Sequence, residues 1–133
     1  MNQSSHSDDT ALQREYYART AAEYESAQFH EGDEHFLALG WMAALIAQRN
    51  YLRVLDIGSG TGRVLHYLAQ HSTVEVVGIE PSAELRAVGH ANGIAKDTLV
   101  EGNALALPFA DNSFDIVCSY GVLHHIKDHD VLP

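Results

Sequence analysis

The sequence predicts an α/β fold, an open parallel sheet with helices on both faces, preceded by N-terminal helices. Three observations carry that reading. Short apolar, β-branched runs alternate with amphipathic helical segments from residue 51 onward. The first run, Val54-Leu55-Asp56-Ile57, gives way at once to Gly58-Ser59-Gly60-Thr61-Gly62 and then to a helical pattern. An acid, Glu80, closes the second run. Open parallel sheets bind ligands past the carboxyl ends of their strands, where the strand order reverses. The residues to watch are therefore those that close each strand: Gly58, Glu80, Asn103, and Ser119 with Tyr120.

Taken in order, residues 1–9 are polar and aperiodic and are expected to form a disordered tail. Residues 10–50 form an N-terminal helical segment. Its first part, 10–29, splits into two pieces, with Leu12, Tyr16, Arg19 and Glu23 on one face and Tyr17, Ala21 and Tyr24 on another. A second helix over 34–49 carries Phe36, Leu37, Leu39, Trp41, Leu45 and Ile46, an apolar stripe expected to lie against the sheet. The helix after the glycines, about 62–70, is expected to turn Leu65, Leu68 and Ala69 inward and Arg63, His66 and Gln70 outward. Residues 73–79 are apolar and β-branched apart from Glu75, as a parallel strand covered by helices should be. Pro81 then opens a helix over 82–90, and Asn92-Gly93 stops it. A short strand at 98–100, a loop at 105–112 and a fourth strand at 113–119 follow, with Phe114, Ile116 and Val117 as the last strand's apolar set.

Size and charge narrow the function. A chain of 133 residues, 46% hydrophobic, supports one core. A formal charge of -10 argues against a surface that tracks nucleic-acid phosphates. The single cysteine, Cys118, excludes a disulfide within the chain and is expected to pack in a strand. Neither a signal peptide nor a membrane-spanning run is present, so the expectation is a cytoplasmic protein without membrane contact. His124, His125, Asp128, His129 and Asp130 lack zinc-type spacing, and no metal is expected.

Glycines at 58, 60 and 62 permit positive φ and a close backbone approach to a ligand, and the helix beyond them aims unpaired N–H groups at the same place. A dinucleotide loop wants G-x-G-x-x-G, but Arg63 stands where its third glycine would fall. Glu80 beside this turn suits a ribose, whose two hydroxyls a carboxylate accepts together.

The run from Val54 to Arg63, VLDIGSGTGR, resembles motif I of the class I S-adenosylmethionine-dependent methyltransferases, an apolar strand followed by D/E-x-G-x-G-x-G. Leu107-Pro108-Phe109, Asp111 to Val117 and His124-His125-Ile126 resemble later parts of the same family. The resemblance implies a Rossmann-like domain of which this chain holds the first four strands, over 51–133. It also implies that Asp56, Gly58, Ser59, Gly60, Gly62, Arg63, Glu80, Pro81, Ser119 and Tyr120 bind S-adenosylmethionine. Asp56 would hold the glycine loop or reach the cofactor's amino end. Asn103 stands where the family carries an acid for the adenine amine; its amide carbonyl can still accept, without the charge. The Ala104 N–H would donate to a ring nitrogen and Leu105 would pack on the ring face. Residues 13–24 resemble the family's lid helix, which brings Tyr16 or Tyr17 to the methionine end. His124 and His125 are the candidates for a general base. Phe114 reads as core and Asp115 as structural.

The expected activity is methyl transfer to a small-molecule acceptor. Because the sulfonium activates its own leaving group, the absence of a nucleophile or dyad fits that chemistry. The alternatives are a non-catalytic, cofactor-binding relative of these enzymes and, further off, a nicotinamide-dependent oxidoreductase. The family's domain continues beyond strand four, so this chain is expected to bind cofactor without turnover. Its fourth strand would present an edge that pairs with a second copy.

Overall fold

The computed structural model describes residues 34–120. The tail, the lid segment with Tyr16 and Tyr17, and the histidines His124 and His125 lie outside the described residues. Within them the order is α1 (Glu34–Arg49), β1 (Arg53–Ile57), α2 (Arg63–His71), β2 (Glu75–Ile79), α3 (Ala83–Ala91), β3 (Leu99–Val100) and β4 (Ile116–Cys118). The strands form one sheet in the order β3-β2-β1-β4, and every neighbouring pair is parallel. This is the predicted α/β, Rossmann-like sheet flanked by helices. The strand order reverses between β1 and β4, which puts the switch point beside the glycine turn.

Alternation along each strand divides the core in two. Val54 and Val76 join Leu39 and Ile46 of α1 and Val64, Leu65 and Leu68 of α2 on one face. Leu55, Val77 and Ile79 form the other cluster, against which Phe109 and Phe114 pack edge to face at 5.0 Å. Phe114 also lies under the Arg53 guanidinium at 4.8 Å. It is half-buried, a cover for the core rather than its centre.

Two side-chain expectations change. In α1 the buried residues are Leu39 and Ile46, with Met42 and Ala43 partly buried between them. Leu37, Trp41 and Leu45 fall on the opposite side and are exposed, Trp41 by 82%. The helix is apolar most of the way round, so periodicity could not select the face that packs. In α2 Val64 is buried where Ala69 was expected, and Ala69 is exposed. The strands are also shorter than their apolar runs, with β2 beginning at Glu75 and β4 at Ile116.

Asp115 begins the last strand by bridging to the first. Its Oδ2 accepts the Leu52 and Arg53 amides at 2.8 and 3.0 Å, while its own N–H donates to the Arg53 carbonyl at 2.9 Å. The two amides hold its carboxyl below the usual value of 3.8. β4 is an edge strand among the described residues, with Val117 56% exposed. The carboxylate is favoured in the folded state, so its stabilisation is full above pH 3.8 and is lost as pH falls through the lowered value. Asp115→Ala should lower the urea midpoint at neutral pH, and its gap from wild type should close as pH falls below that range. A gap independent of pH would contradict this.

Candidate functional site

The site begins with how the turn after β1 is held. The Gly58 and Ser59 amides both donate to the Ile79 carbonyl, at 2.9 and 3.0 Å, and tie the turn to the end of β2. Gly58, Gly60 and Gly62 all have positive φ, 74°, 59° and 89°. A side chain at any of them would be strained. Gly62 is the N-cap of α2 and provides no side-chain cap, so the first turn of that helix keeps donors for something else.

Two glycines outside the motif make room for it. A Cβ at Gly78 of β2 would strike the Ser59 hydroxyl and Leu65. A Cβ at Gly89 of α3 would lie 2.5 Å from Leu99 and 2.8 Å from the Thr61 carbonyl oxygen. The turn is thus clamped between β2 and α3. A glycine inside a strand signals such a close approach, and that signal at Gly78 was there to be read.

Around the turn sit two buried acids. Glu80 follows β2 and is 6% exposed. Its Oε2 accepts the Ser82 amide at 3.3 Å and its carbonyl accepts from Arg86 at 2.6 Å. The Ser82 hydroxyl accepts the Leu85 amide, capping α3 and fixing Pro81 between the acid and the helix. Asp56 is 1% exposed, and its Oδ2 has no hydrogen-bond partner among the described residues. Burial pushes its carboxyl up to about 7, Ser59 and Cys118 offset this in part, and Glu80 adds to it. The Cys118 thiol donates to Asp56 Oδ1 at 3.6 Å across the β1–β4 ladder, in which the two residues are register partners.

Two further buried hydroxyls, Thr61 Oγ1 and Ser119 Oγ, also have no partner among the described residues. Thr61 was not anticipated; its place within the glycine run was the available signal. Tyr120 donates to Met42 Sδ at 3.8 Å and meets the His35 ring at 5.8 Å, edge to face. Burial, with Cys118 and Asp56 adding to it, pushes its hydroxyl up to about 12.

The loop after β3 is the third wall. Asn103 Oδ1 already accepts the Leu105 amide at 2.7 Å and the Asn103 carbonyl accepts from Ala106 at 3.2 Å. The amide oxygen expected to meet a ligand therefore shapes its own loop, with one lone pair left over. Ala104 is half-buried and Leu105 is 54% exposed. Arg63 opens α2, half-buried. Among the described residues no three His, Cys, Asp or Glu are grouped to hold a metal, and no helix is long and apolar enough to cross a membrane.

Known proteins share this fold. Residues 55–132 match the family model of the methyltransferase domain. An uncharacterised methyltransferase of Bacillus subtilis, YcgJ, is 32% identical over 104 residues, covering 75% of this chain and 39% of that protein. Its crystal structure superposes with a TM-score of 0.59 at 31% identity, over 71% of this chain and 42% of that one. Phosphoethanolamine N-methyltransferase of Triticum aestivum is 31% identical over 83 residues, 60% of this chain and 16% of that enzyme. Magnesium protoporphyrin IX methyltransferase of Synechocystis PCC 6803, solved with bound SAM, shares the fold. Its TM-score is 0.68 at 19% identity, over 90% of this chain and 64% of that one. The matched part of the chain covers well under half the length of YcgJ and of the wheat enzyme.

The clamp around the turn is open to test. Gly89→Ala should lower stability by about 1–3 kcal/mol in urea unfolding, since its nearest obstacles include backbone. A neutral substitution would mean that α3 does not press on the turn.

Proposed function

The chain belongs to the methyltransferase domain family, and from that premise we propose that it binds S-adenosylmethionine for methyl transfer to a small-molecule acceptor. The observation that carries the proposal is the joint placement of Glu80, buried, and the unpartnered Asp56 Oδ2 on either side of the glycine turn. Buried polar atoms without partners carry a desolvation cost that a ligand can offset. The cofactor offers an ammonium for the unpartnered Asp56 Oδ2, hydroxyls suited to the Glu80 carboxylate and a carboxylate for donors at the start of α2.

Each residue then has a task. Gly58, Ser59, Gly60 and Gly62 let the backbone approach the ligand, with Thr61 and Ser119 adding hydroxyls. Arg63 supplies positive charge at the head of α2. Glu80 takes the ribose hydroxyls, while Pro81 lies along the adenosine. The Ala104 amide and the second lone pair of Asn103 meet the adenine edge, and the exposed face of Leu105 covers the ring. Tyr120 closes the methionine side, as do Tyr16 or Tyr17 if the N-terminal segment folds over as a lid. Bound there, S-adenosylmethionine supplies a methyl carbon made electrophilic by its sulfonium. The protein's part is to position the reactants and exclude water, with His124 or His125 as the candidate for removing the acceptor's proton.

We also propose that these 133 residues bind cofactor without turning it over, since their match covers only 39% of YcgJ. Calorimetry with S-adenosylhomocysteine, S-adenosylmethionine and NAD tests the assignment. The expected result is heat with both sulfur nucleosides, none with NAD, and at least about a tenfold weaker Kd for Glu80→Gln. Equal binding of NAD, or an unchanged Kd in Glu80→Gln, would contradict the nucleoside assignment. Methyl transfer by this chain alone would contradict the second proposal.

A further inference from the structure

We infer that Cys118 is a positioning residue for ammonium recognition: its thiol holds one oxygen of Asp56 and leaves the other as acceptor for the ligand's amino group. The inference rests on the nucleoside reading above and extends it to a residue that sequence analysis assigned to packing.

The geometry is specific. Asp56 and Cys118 are the last register partners of the β1–β4 ladder, and the strand order reverses between those two strands. Ligands of open parallel sheets sit at that place. The thiol donates to Oδ1 at 3.6 Å, and Oδ2 is buried without a partner among the described residues. Burial and the adjoining carboxylate push the thiol's own titration up. It therefore stays S–H through the neutral range and acts only as a donor to Asp56.

The groups that bear on Asp56 are the Ser59 hydroxyl from the turn, Cys118 and Tyr120 from the β4 end, and Glu80 from the β2 end. From α1, the His35 ring meets the Tyr120 ring. Among the described residues the groups that shift the acid are Ser59, Cys118 and Glu80, none of them a cation, and Glu80 disfavours the carboxylate further. Without a ligand the folded protein keeps a proton on Asp56 below about pH 7. An ammonium replaces that proton: its N–H donates to Oδ2 and the displaced proton leaves to solvent. The thiol favours the same ionised form, so it lowers the pH at which the exchange takes place.

The linkage has a definite sign. The folded value of about 7 lies above the ordinary 3.8. Affinity for an ammonium ligand therefore rises with pH through the neutral range and levels off above it. The test is the Kd of S-adenosylhomocysteine between about pH 5.5 and 8.5, for wild type, Asp56→Asn and Cys118→Val. The ligand's own titration is common to all three and cancels in the ratio of variant to wild type.

Wild type should tighten as pH rises, and Asp56→Asn should bind weakly with a flat profile. Cys118→Val keeps the volume and loses the donor. Its Kd should be about 3- to 10-fold weaker at the acid end, with the ratio shrinking toward one at the alkaline end. If valine prevents folding, Cys118→Ala carries the same expectation. A Cys118 ratio that is constant with pH, including a ratio of one throughout, would overturn the inference. So would a flat wild-type profile, which would leave the nucleoside reading intact. Failure of wild type to bind at any pH would overturn both.

Discussion

The arrangement depends on one bifurcated contact, the Gly58 and Ser59 amides on the Ile79 carbonyl. It extends the β1–β2 pairing past the last register pair, Ile57 with Ile79, and turns the chain sharply into α2. From this anchor Gly62 caps the helix at positive φ, Ser59 packs against Gly78, and Thr61 lies under Gly89. Bulk at Gly89 would meet the Thr61 backbone, whereas bulk at Gly62 or Gly78 would meet the packed side chains of Ile94, Ser59 and Leu65. The loop is thereby rigid before a ligand arrives, which reduces the ordering cost of binding.

That rigidity comes with an electrostatic cost. Asp56 and Glu80 are both buried, and Glu80 makes ionisation of Asp56 harder still. A fold selected for stability alone would not bury two carboxylates beside each other. On the function proposed, a ligand with hydroxyls and a cationic amine would offset the cost of both, one at each acid. On that proposal the features that cost the unliganded site stability are the ones that would select its ligand.

Much of this was legible in the sequence because it depends on local signals. The glycine run, the acid closing the second strand and Pro81-Ser82 before a helix each act within a few residues, and each lies where expected. What was not legible depends on packing partners. Trp41, Leu37 and Leu45 are as apolar as Leu39 and Ile46, and only the tertiary fold decides which side of α1 is buried. The contact of Cys118 with Asp56 spans 62 positions and follows from the β1–β4 register, which strand patterns alone do not fix. Asp115 shows the intermediate case. It was expected to be structural, within a strand over 113–119, but its partners, the amides of Leu52 and Arg53, lie on the far side of the domain's sequence.

The central claim is that the turn between β1 and α2, with Glu80 and the loop after β3, forms one nucleoside site. Amide NMR of the full chain during titration with S-adenosylhomocysteine tests it most directly. The account predicts that the largest shifts fall together on Gly58 to Arg63, Glu80 to Ser82 and Asn103 to Leu105, with β3 and the exposed side of α1 unmoved. Shifts confined to one of these segments, or centred elsewhere, would contradict it.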